Sequence, residues 1–275
     1  MRLARFQTPT GPVQVVWHQA SWRGAKGNLA EGFAPTDEIV PEGPRLVPAE
    51  IAQIWCIGLN YRRHAEETGA TLPPFPVLFA KGLGALQAPG GPVVLPASMN
   101  SSQTDFEVEL AVVIGKPARN VRRENALHHV AGYTVGVDVS ERGWQKKGGG
   151  GQWMRGKTFD TFAPLGPDLI TPEELGDAGD LRLCLWRNGA LMQDSRTSDM
   201  LFGVSELIEF LSRDTTLVTG TVILTGTPEG VGMARRPPVF LKSGDEIHVE
   251  IEGIGGFTFP VEPGRAALAP IDPMP

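Results

Sequence analysis

The sequence has few cysteines and no long hydrophobic run, and each absence excludes a class of protein. Cys56 and Cys184 are the two cysteines among 275 residues, and they form no CxxC pair, so neither a disulfide framework nor a structural zinc site is indicated. No stretch approaches the roughly 20 apolar residues that cross a bilayer. The beginning, MRLARFQTPTGP, lacks the apolar core of a signal peptide. These features predict a cytoplasmic protein that does not bind membranes.

Positive charge and nucleotide-binding motifs are also scarce. The formal net charge is −6 at pH 7, and the basic runs NVRRE and QKKGGGG are short and contain no aromatic residue. This composition argues against a nucleic-acid partner, because binding the phosphate backbone requires clustered Lys and Arg. The sequence contains no GxSxG, GxxxxGK[ST] or HExxH motif, and no GxGxxG after a predicted strand. Nucleotide cofactors are therefore not indicated.

Glycine and proline, by contrast, are abundant, with 34 and 24 residues. Such a composition favours a turn-rich fold made mainly of strands. Short apolar segments such as PVLFAK, VELAVVIG and TVILTGT predict strands, and they do not alternate regularly with helices. Helices are expected in NYRRHAEETG, closed by Gly69, and in VSELIEFLSRD, with Ser205 as its N-cap. The predicted fold class is α+β and mainly β, a mixed β-sandwich roll with few short helices.

Residues 1–50 differ in sequence pattern from the rest of the chain. RLARFQT and GPVQVVWH predict a hairpin, and the proline-rich run FAPTDEIVPEGPRLVPAE predicts an extended connector. From residue 51 onward, short apolar strands are separated by Gly/Pro turns. We therefore predict a small N-terminal β region with a linker over residues 1–50, and a catalytic domain over residues 51–275.

Acidic residues occupy alternate positions in the segment TDFEVELAVVIGK. In a strand, Asp105, Glu107 and Glu109 face one side and the apolar residues between them face the other. Buried carboxylates that lie side by side repel each other unless a hard divalent cation binds them. A solvated acidic face on an edge strand would show the same pattern. Asp138, near the end of the strand in GYTVGVDVSERG, either caps a turn or completes an oxygen-only site, which suits Mg²⁺ or Mn²⁺ better than zinc.

Three further segments carry candidate functional groups, and each has an ordinary structural alternative. On a helix, His64 and Glu67 face the same side, either as a general base with its orienting carboxylate or as a surface charge pair. Lys157 follows a glycine run and either binds an anionic oxygen or is a solvated loop lysine. The turn after ILTGT either cradles a carboxylate with the Gly226 N–H and the Thr227 hydroxyl or is a plain tight turn.

Taken in order, these segments resemble the fumarylacetoacetate hydrolase family over about residues 51–255. The matching runs are CIGLNYRRHAEETG, PVLFAKGLGALQAPGGPVVLP, DFEVELAVVIGK, GYTVGVDVSERGWQ, QWMRGKTFDTFAPLGP, SRTSDMLFGVSELIEFLS and ILTGTPEGVGMARRPPVFLKSGDEIHVEIEGIG. The resemblance implies a fold of the fumarylacetoacetase C-terminal-domain type and a homodimer. It implies that Glu107, Glu109 and Asp138 are ligands of Mg²⁺, with Mn²⁺ or Ca²⁺ as alternatives, and that Asp105 has a supporting role.

The resemblance also implies roles for the remaining candidates. His64 and Glu67 match a water-activating dyad on a lid. Arg142 and Gln145 match residues that stabilise an oxyanion. Lys157 matches a lysine beside the metal and the substrate. The substrate-binding residues that it implies are Thr227, Gly226 and Lys157. One departure is Gly143, which stands where family members often have Asp, and this leaves open what supports Arg142 and Gln145.

The function implied is metal-dependent hydrolysis of a C–C bond in a 2,4-dioxo acid, such as an acylpyruvate or a diketo sugar acid, to pyruvate and a carboxylic acid. The same chemistry would serve oxaloacetate decarboxylation or tautomerisation, and isomerisation or hydration of a 2-oxo-dienoate. A metal-binding family member without turnover is a further alternative. The expected partner is a small 2-keto or 2,4-diketo acid, with neither nucleic acid nor membrane involved.

Overall fold

The computed structural model describes residues 1–100, 102–148 and 150–273, and strands dominate it. The strands are β1 (Arg2–Thr8), β2 (Gly11–His18), β3 (Ser21–Asn28), β4 (Gly32–Ile39), β5 (Gln53–Gly58), β6 (Val77–Lys81), β7 (Leu86–Gln87), β8 (Val93–Leu95), β9 (Thr104–Asp105), β10 (Val108–Ile114), β11 (Val130–Val137), β12 (Ser140–Glu141), β13 (Ala163–Ile170), β14 (Arg182–Arg187), β15 (Ala190–Arg196), β16 (Thr221–Leu224), β17 (Glu246–Ile251) and β18 (Gly255–Pro263). The α-helices are α1 (Arg62–Thr68), α2 (Met154–Lys157), α3 (Pro172–Leu175) and α4 (Val204–Leu211). Short 3₁₀ helices cover Leu83–Ala85, Arg123–His129, Ala178–Asp180, Thr197–Asp199 and Gly232–Ala234, and a π-helix covers Trp144–Gly148.

Two mixed sheets share one hydrophobic core. The larger runs in the order β4-β3-β2-β1-β13-β11-β10-β16-β5-β6, and the smaller in the order β15-β14-β17-β18-β8. Buried residues of β10 and β11 in the first sheet and of β14, β17 and β18 in the second belong to the same apolar cluster. The mainly β fold class is confirmed.

Strand β10 is the element that positions the candidate site. It lies between β11 and β16, antiparallel to both, and all seven of its residues are buried. Val108 lies opposite Val137, the last residue of β11, so Asp138 follows directly across from Glu107. The Asp138 N–H donates to the Glu107 carbonyl at 2.9 Å. Strand register, rather than proximity in sequence, therefore brings the acids of the two strands together.

The first 39 residues extend the larger sheet, because β1 pairs with β13. The predicted hairpin is confirmed as the antiparallel pair β1–β2. The prediction of an extended connector, which begins at Phe33, is wrong over residues 33–39, because these belong to the edge strand β4. Pro35 is tolerated there because the outer side of an edge strand needs no ladder hydrogen bond. A domain boundary at residue 50 stays a prediction.

Both expected helices are present. Helix α1 ends at Gly69, whose φ of 67° is left-handed, and this confirms the predicted glycine closure. Helix α4 buries Leu207, Ile208 and Leu211, but its N-cap is Gly203, so the prediction of Ser205 as N-cap is wrong. None of the helices within the described ranges combines the length and the apolar content that crossing a membrane requires.

Candidate active site

Three carboxylates converge at the end of β10. Glu107, Glu109 and Asp138 each offer a ligand oxygen, and these oxygens lie within 4.8 Å of one another. The three residues are between 0% and 4% exposed. The alternative of a solvated acidic face is therefore wrong, because β10 has a neighbouring strand on each side and is not an edge strand.

Two buried lysines pair with this group. Lys157, the last residue of α2, donates to Glu107 Oε2 at 2.7 Å and to Asp138 Oδ2 at 2.6 Å. Lys81, the last residue of β6, donates to Asp138 Oδ1 at 2.5 Å and to the Val139 carbonyl at 3.0 Å. The alternatives of a solvated lysine at 157 and of a turn-capping Asp138 are both wrong, because these side chains are buried in ion pairs.

Arg142 joins Asp105 of β9 to Glu107, which directly precedes β10. Its Nη2 lies 2.5 Å from Glu107 Oε1, its Nε donates to Asp105 Oδ2 at 3.0 Å, and its Nη1 donates to Gln145 Oε1 at 3.0 Å. Asp105 also accepts the backbone N–H groups of Gly232 and Met233. Asp105 therefore supports Arg142 and is not part of the three-carboxylate group.

Glu107, just before β10, and Glu109, within β10, have opposite pKa shifts. Burial, reinforced by the charges of Asp138 and Glu107, raises the pKa of Glu109 well above its ordinary value. Burial acts in the same direction on Glu107, but the charges of Arg142 and Lys157 outweigh it and hold the pKa of that carboxyl below its usual range. Glu109 is thus the acid whose charge the protein's own cations compensate least.

The donor set fits a hard divalent cation. The buried charged side chains of the cluster are Asp105, Glu107, Glu109, Asp138, Lys81, Arg142 and Lys157. Four acids face three cations, so one negative charge is in excess when every group is ionised. Carboxylate oxygens are the ligands that Mg²⁺ and Mn²⁺ prefer. A cation bound at this group would supply the positive charge that compensates the Glu109 carboxylate.

The His64–Glu67 pair lies on α1 beside the acids. His64 Nδ1 is 2.8 Å from Glu67 Oε1, and Glu67 Oε2 accepts the Gly230 N–H at 2.9 Å. The side chain of His64 is 7% exposed, so the alternative of a surface charge pair is wrong. A carboxylate can only accept, so Nδ1 carries the proton of this bond and Nε2 is the nitrogen left to take up another.

The glycine-rich turn after β16 forms hydrogen bonds with residues of the candidate site. The Gly226 N–H donates to Glu109 Oε2 at 2.7 Å, so the carboxylate that it binds is one of the protein's own. Gly226 has a φ of 101°, which favours glycine. The Thr227 hydroxyl donates to the Val108 carbonyl at 3.0 Å and accepts from Gln193 Nε2 at 2.8 Å. Substrate binding by Gly226 and Thr227 stays a prediction.

A cavity of about 200 Å³ opens onto these groups. Its walls carry Glu107, Glu109, Asp138, Arg142, Gln145, Lys157, His64 and Thr227 together with Ile57, Gly58, Leu59, Thr68, Ala70, Phe79, Lys146, Trp153 and Met233. The Phe79 and Trp153 rings meet edge to face at 5.4 Å, and the Lys157 ammonium lies 5.0 Å from the Phe79 ring centroid. The structure thus brings every predicted site residue to the cavity or into direct contact with one of its walls.

Sequence reasoning missed two residues of the site. Lys81 ends the apolar strand sequence VLFAK. A single charged residue at the end of an apolar run was the sequence feature that could have identified it. Gln193 accepts the Val108 N–H at 2.9 Å and bonds Thr227, so it links β15 to β10. No local pattern marks Gln193. Its partners lie 85 and 34 residues away.

A Lys81→Met variant should be destabilised when the protein is free of divalent metal. The change keeps the shape but leaves Asp138 with one cation fewer, and breaking a buried ion pair costs about 3–5 kcal/mol. We expect urea unfolding in EDTA to show this loss and added Mg²⁺ to recover part of it, because the metal replaces the missing charge. Lys242→Met, at an exposed lysine, is the control and should change little. Equal stability of Lys81→Met and wild type in EDTA would contradict the role of Lys81 as the cation that compensates Asp138.

Comparisons with known proteins place these residues in context. The family model for the C-terminal part of fumarylacetoacetate hydrolase matches residues 53–262. A mitochondrial oxaloacetate tautomerase from Bos taurus is 46% identical over 221 residues, which are 80% of this chain and 69% of that protein. The structure of 2-hydroxyhepta-2,4-diene-1,7-dioate isomerase from Mycobacterium marinum aligns with a TM-score of 0.82 at 36% identity, covering 97% of this chain and 100% of the other. A fumarylacetoacetate hydrolase from Exiguobacterium antarcticum aligns with a TM-score of 0.85 at 33% identity, covering 96% and 100%.

Proposed function

Because the chain belongs to the fumarylacetoacetate hydrolase family, we propose that it catalyses enol–keto tautomerisation of oxaloacetate, or of a close 2-oxo dicarboxylic acid, at a divalent metal site. The observation that carries this proposal is the buried group of Glu107, Glu109 and Asp138 on a cavity wall that also holds Lys157 and Arg142. A relative named as an oxaloacetate tautomerase supports this choice of substrate. Mg²⁺ is the proposed cation, since the ligand atoms are carboxylate oxygens.

The size and charge of the cavity favour a compact dianion. At about 200 Å³, the cavity is smaller than the roughly 300–1,000 Å³ that drug-sized ligands occupy. Lys157, Arg142 and Lys146 line it together with Glu107, Glu109 and Asp138, and a divalent cation bound to these acids would give its walls a net positive charge. Phe79 and Trp153 contribute an aromatic wall on the side of Lys157. A small acid with two carboxylates therefore matches the cavity better than an acid with a long apolar chain.

Tautomerisation needs a place for negative charge and a group that moves a proton. When bound, a divalent cation supplies Lewis acidity that polarises a carbonyl oxygen and offsets developing negative charge. The Lys157 ammonium, held between Glu107 and Asp138, adds a fixed positive charge beside that position. Arg142 and Gln145, bonded to each other on the cavity wall, bind and orient a substrate carboxylate.

The proton carrier that we assign is His64. Glu67 fixes the imidazole through Nδ1, and the Gly230 N–H fixes Glu67 in turn, so the ring is oriented from two sides. His64 Nε2 takes the proton from the substrate hydroxyl or carbon and returns it at the other position, with no net change in atoms. Proton transfer of this kind contributes about 10²–10⁴-fold to a rate.

Hydrolysis of a small 2,4-dioxo acid is the second candidate, and the same dyad is the observation that favours it. There His64 would deprotonate a water, whose oxygen adds to the C4 carbonyl. The C3–C4 bond then breaks and C3 receives a proton, which yields pyruvate and a carboxylic acid. Both reactions use the acids, Lys157 and His64, so the products distinguish them rather than the residues.

The test follows the enol absorbance of oxaloacetate with purified protein and Mg²⁺, against an EDTA-treated sample and the spontaneous rate. Pyruvate and CO₂ are measured in the same samples, and a panel of small acylpyruvates is run in parallel. Faster metal-dependent loss of the enol without pyruvate supports tautomerisation. Release of pyruvate and CO₂ from oxaloacetate would replace the proposal with decarboxylation, and cleavage of an acylpyruvate alone would replace it with hydrolysis.

No turnover on any substrate would overturn the enzymatic proposal. Thermal stabilisation by Mg²⁺ and by oxalate, measured on the same preparation, then shows whether the metal site itself exists. Stabilisation without turnover would mark the chain as a binding member of the family without catalytic activity.

A further inference from the structure

Glu141 is a buried acid that forms no ion pair with the residues that the structure describes. It is 1% exposed, and its two carboxylate oxygens accept backbone N–H groups from two different segments. The Gln103 N–H donates to Oε1 at 3.2 Å, and the Trp144 N–H donates to Oε2 at 2.7 Å. A carboxylate in the interior is costly unless such bonds satisfy it, so both bonds are part of what keeps Glu141 in place.

The two segments that Glu141 joins both carry groups of the candidate site. Gln103 lies two residues before Asp105, which binds Arg142. Trp144 begins the π-helix whose next residue, Gln145, accepts from Arg142 Nη1. The N–H groups in the first turn of a helix have no partner within the helix, and Glu141 satisfies the one at Trp144. One side chain thus ties the anchor of Arg142 to the helix that presents Gln145.

A third segment packs on the backbone of the same residue. A Cβ atom placed on Gly156 would lie 2.5 Å from the Glu141 carbonyl oxygen, so α2 approaches Glu141 as closely as a glycine allows. The next residue of α2 is Lys157, which pairs with Glu107 and Asp138. Glu141 therefore precedes Arg142 directly, and it contacts the residues just before Gln145 and Lys157.

We propose that Glu141 is a positioning residue, whose carboxylate fixes the backbone from which Arg142 and Gln145 reach the substrate. It lines no wall of the cavity and is not one of the three acids of the metal group. Its role is therefore to order the anion-binding side of the site without contributing to the metal ligands. The inference rests on the proposed function for the identity of the substrate but not for the geometry.

The role of Glu141 can be tested by placing its carboxylate on a side chain at position 143, which is now Gly143. A Cβ atom on Gly143 would lie 3.2 Å from Glu141 Oε2, so a side chain at position 143 points at the place where the Glu141 carboxylate lies. The backbone at Gly143 is not left-handed, so another residue meets no backbone strain there. With Glu141 shortened to alanine, an aspartate at position 143 can place its carboxylate in the vacated space.

The experiment compares wild type, Glu141→Ala and the double variant Glu141→Ala/Gly143→Asp by calorimetric titration, first with Mg²⁺ and then with oxalate on the Mg²⁺-loaded protein. We expect Glu141→Ala to keep its Mg²⁺ affinity within about twofold and to bind oxalate about tenfold more weakly, a loss of about 1.4 kcal/mol. In the oxaloacetate assay kcat/KM should fall by a similar factor, mainly because KM rises, since Arg142 and Gln145 bind the substrate carboxylate in the ground state as well as in the transition state. The double variant should recover most of both losses.

Two further variants control for folding. Asp245→Ala also removes a buried carboxylate that accepts a backbone N–H, that of Lys242, but it lies beside β17 and away from the cavity. It should lower the melting temperature without weakening oxalate binding. Glu141→Gln keeps one oxygen acceptor and tests the same point if Glu141→Ala fails to fold, and its oxalate affinity should lie between those of Glu141→Ala and wild type.

Several results would overturn the inference. Glu141→Ala, or Glu141→Gln in its place, could bind oxalate as wild type does and lose only thermal stability. Mg²⁺ and oxalate affinities could fall together, which would mean that the whole site loosens. An aspartate at position 143 could fold and yet restore nothing. Because calorimetry needs no turnover, a wild-type protein that is inactive on oxaloacetate refutes the proposed function and leaves this test decisive.

Discussion

A Glu109→Gln variant should lose Mg²⁺ binding and the activity that depends on it, while its metal-free form becomes more stable than wild type. Glutamine keeps an oxygen to accept the Gly226 N–H but removes one of the three carboxylates that we propose as metal ligands. Loss of an outer partner of a metal ligand costs about 10–100-fold in metal affinity, and loss of the ligand itself should cost more. Titration calorimetry with Mg²⁺ and the enol assay measure the two losses.

The gain in stability follows from the pKa of Glu109, which burial and the charges of Asp138 and Glu107 raise. In the metal-free protein the folded state binds this proton more tightly than the unfolded state does. The stability of folded wild type therefore falls as pH rises from about 4.3, the ordinary pKa of glutamate, through the raised value. Glutamine has no such proton, so the variant should lack this decline.

Melting temperatures of the variant and of wild type in EDTA, measured between pH 4 and pH 8, test whether the stability of wild type falls with rising pH and that of the variant does not. Glu262→Gln, at an exposed acid of β18, is the matched control and should follow wild type in both EDTA and Mg²⁺. If Mg²⁺ stabilised Glu109→Gln as much as wild type, Glu109 would not be a ligand. If the variant were less stable than wild type in EDTA at neutral pH, the charge excess at this group would be refuted.

The parts of the site that the sequence predicts are those that depend on local spacing. Glu107 and Glu109 share a face because strand side chains alternate, and His64 and Glu67 meet because they are one helical turn apart. Gly69 closes α1 because glycine adopts the left-handed conformation that ends many helices. In each case the interaction lies within a few residues, where elementary backbone geometry decides it.

The parts that the sequence does not predict depend on strand register over long distances. Lys81 bonds Asp138 across 57 residues of sequence, and the Gly226 N–H bonds Glu109 across 117. The pattern of β10 alone could not distinguish a buried strand from a solvated edge, because that depends on β11 and β16 pairing on either side of it. Family resemblance supplied the grouping of the acids before the structure did, but it gave no partner for Lys81.

The same long-range contacts explain why the acids can be buried at all. Each acid near the cavity has its own compensation: Lys81 and Lys157 for Asp138, Arg142 and Lys157 for Glu107, and a backbone N–H for Glu109. The weakest compensation is at Glu109, and this is the position where a bound cation changes the balance most. Such a graded arrangement would let the acids bind a divalent cation and remain folded without one.

His64→Ala should separate the reactions that this site can support. Both tautomerisation and hydrolysis need a proton carrier, so each should slow by about 10²–10⁴-fold. Decarboxylation of oxaloacetate needs neither an activated water nor a base, because the electrons of the broken C–C bond pass to the polarised carbonyl. Any metal-dependent decarboxylation in wild type should therefore persist in the variant, and Mg²⁺ affinity should be unchanged because His64 is not among the three carboxylate ligands.

The measurement records loss of enol, release of CO₂ and formation of pyruvate by the variant and by wild type at matched Mg²⁺. His248→Ala, which removes an exposed imidazole bonded to Thr258, is the matched control and should retain every rate. Glu67→Gln should slow proton transfer less than His64→Ala, because the base remains and only its orientation through Nδ1 is weakened. Equal loss of all three reactions in His64→Ala would contradict this division of roles, and it would mean that His64 shapes the cavity or binds the substrate rather than carrying its proton.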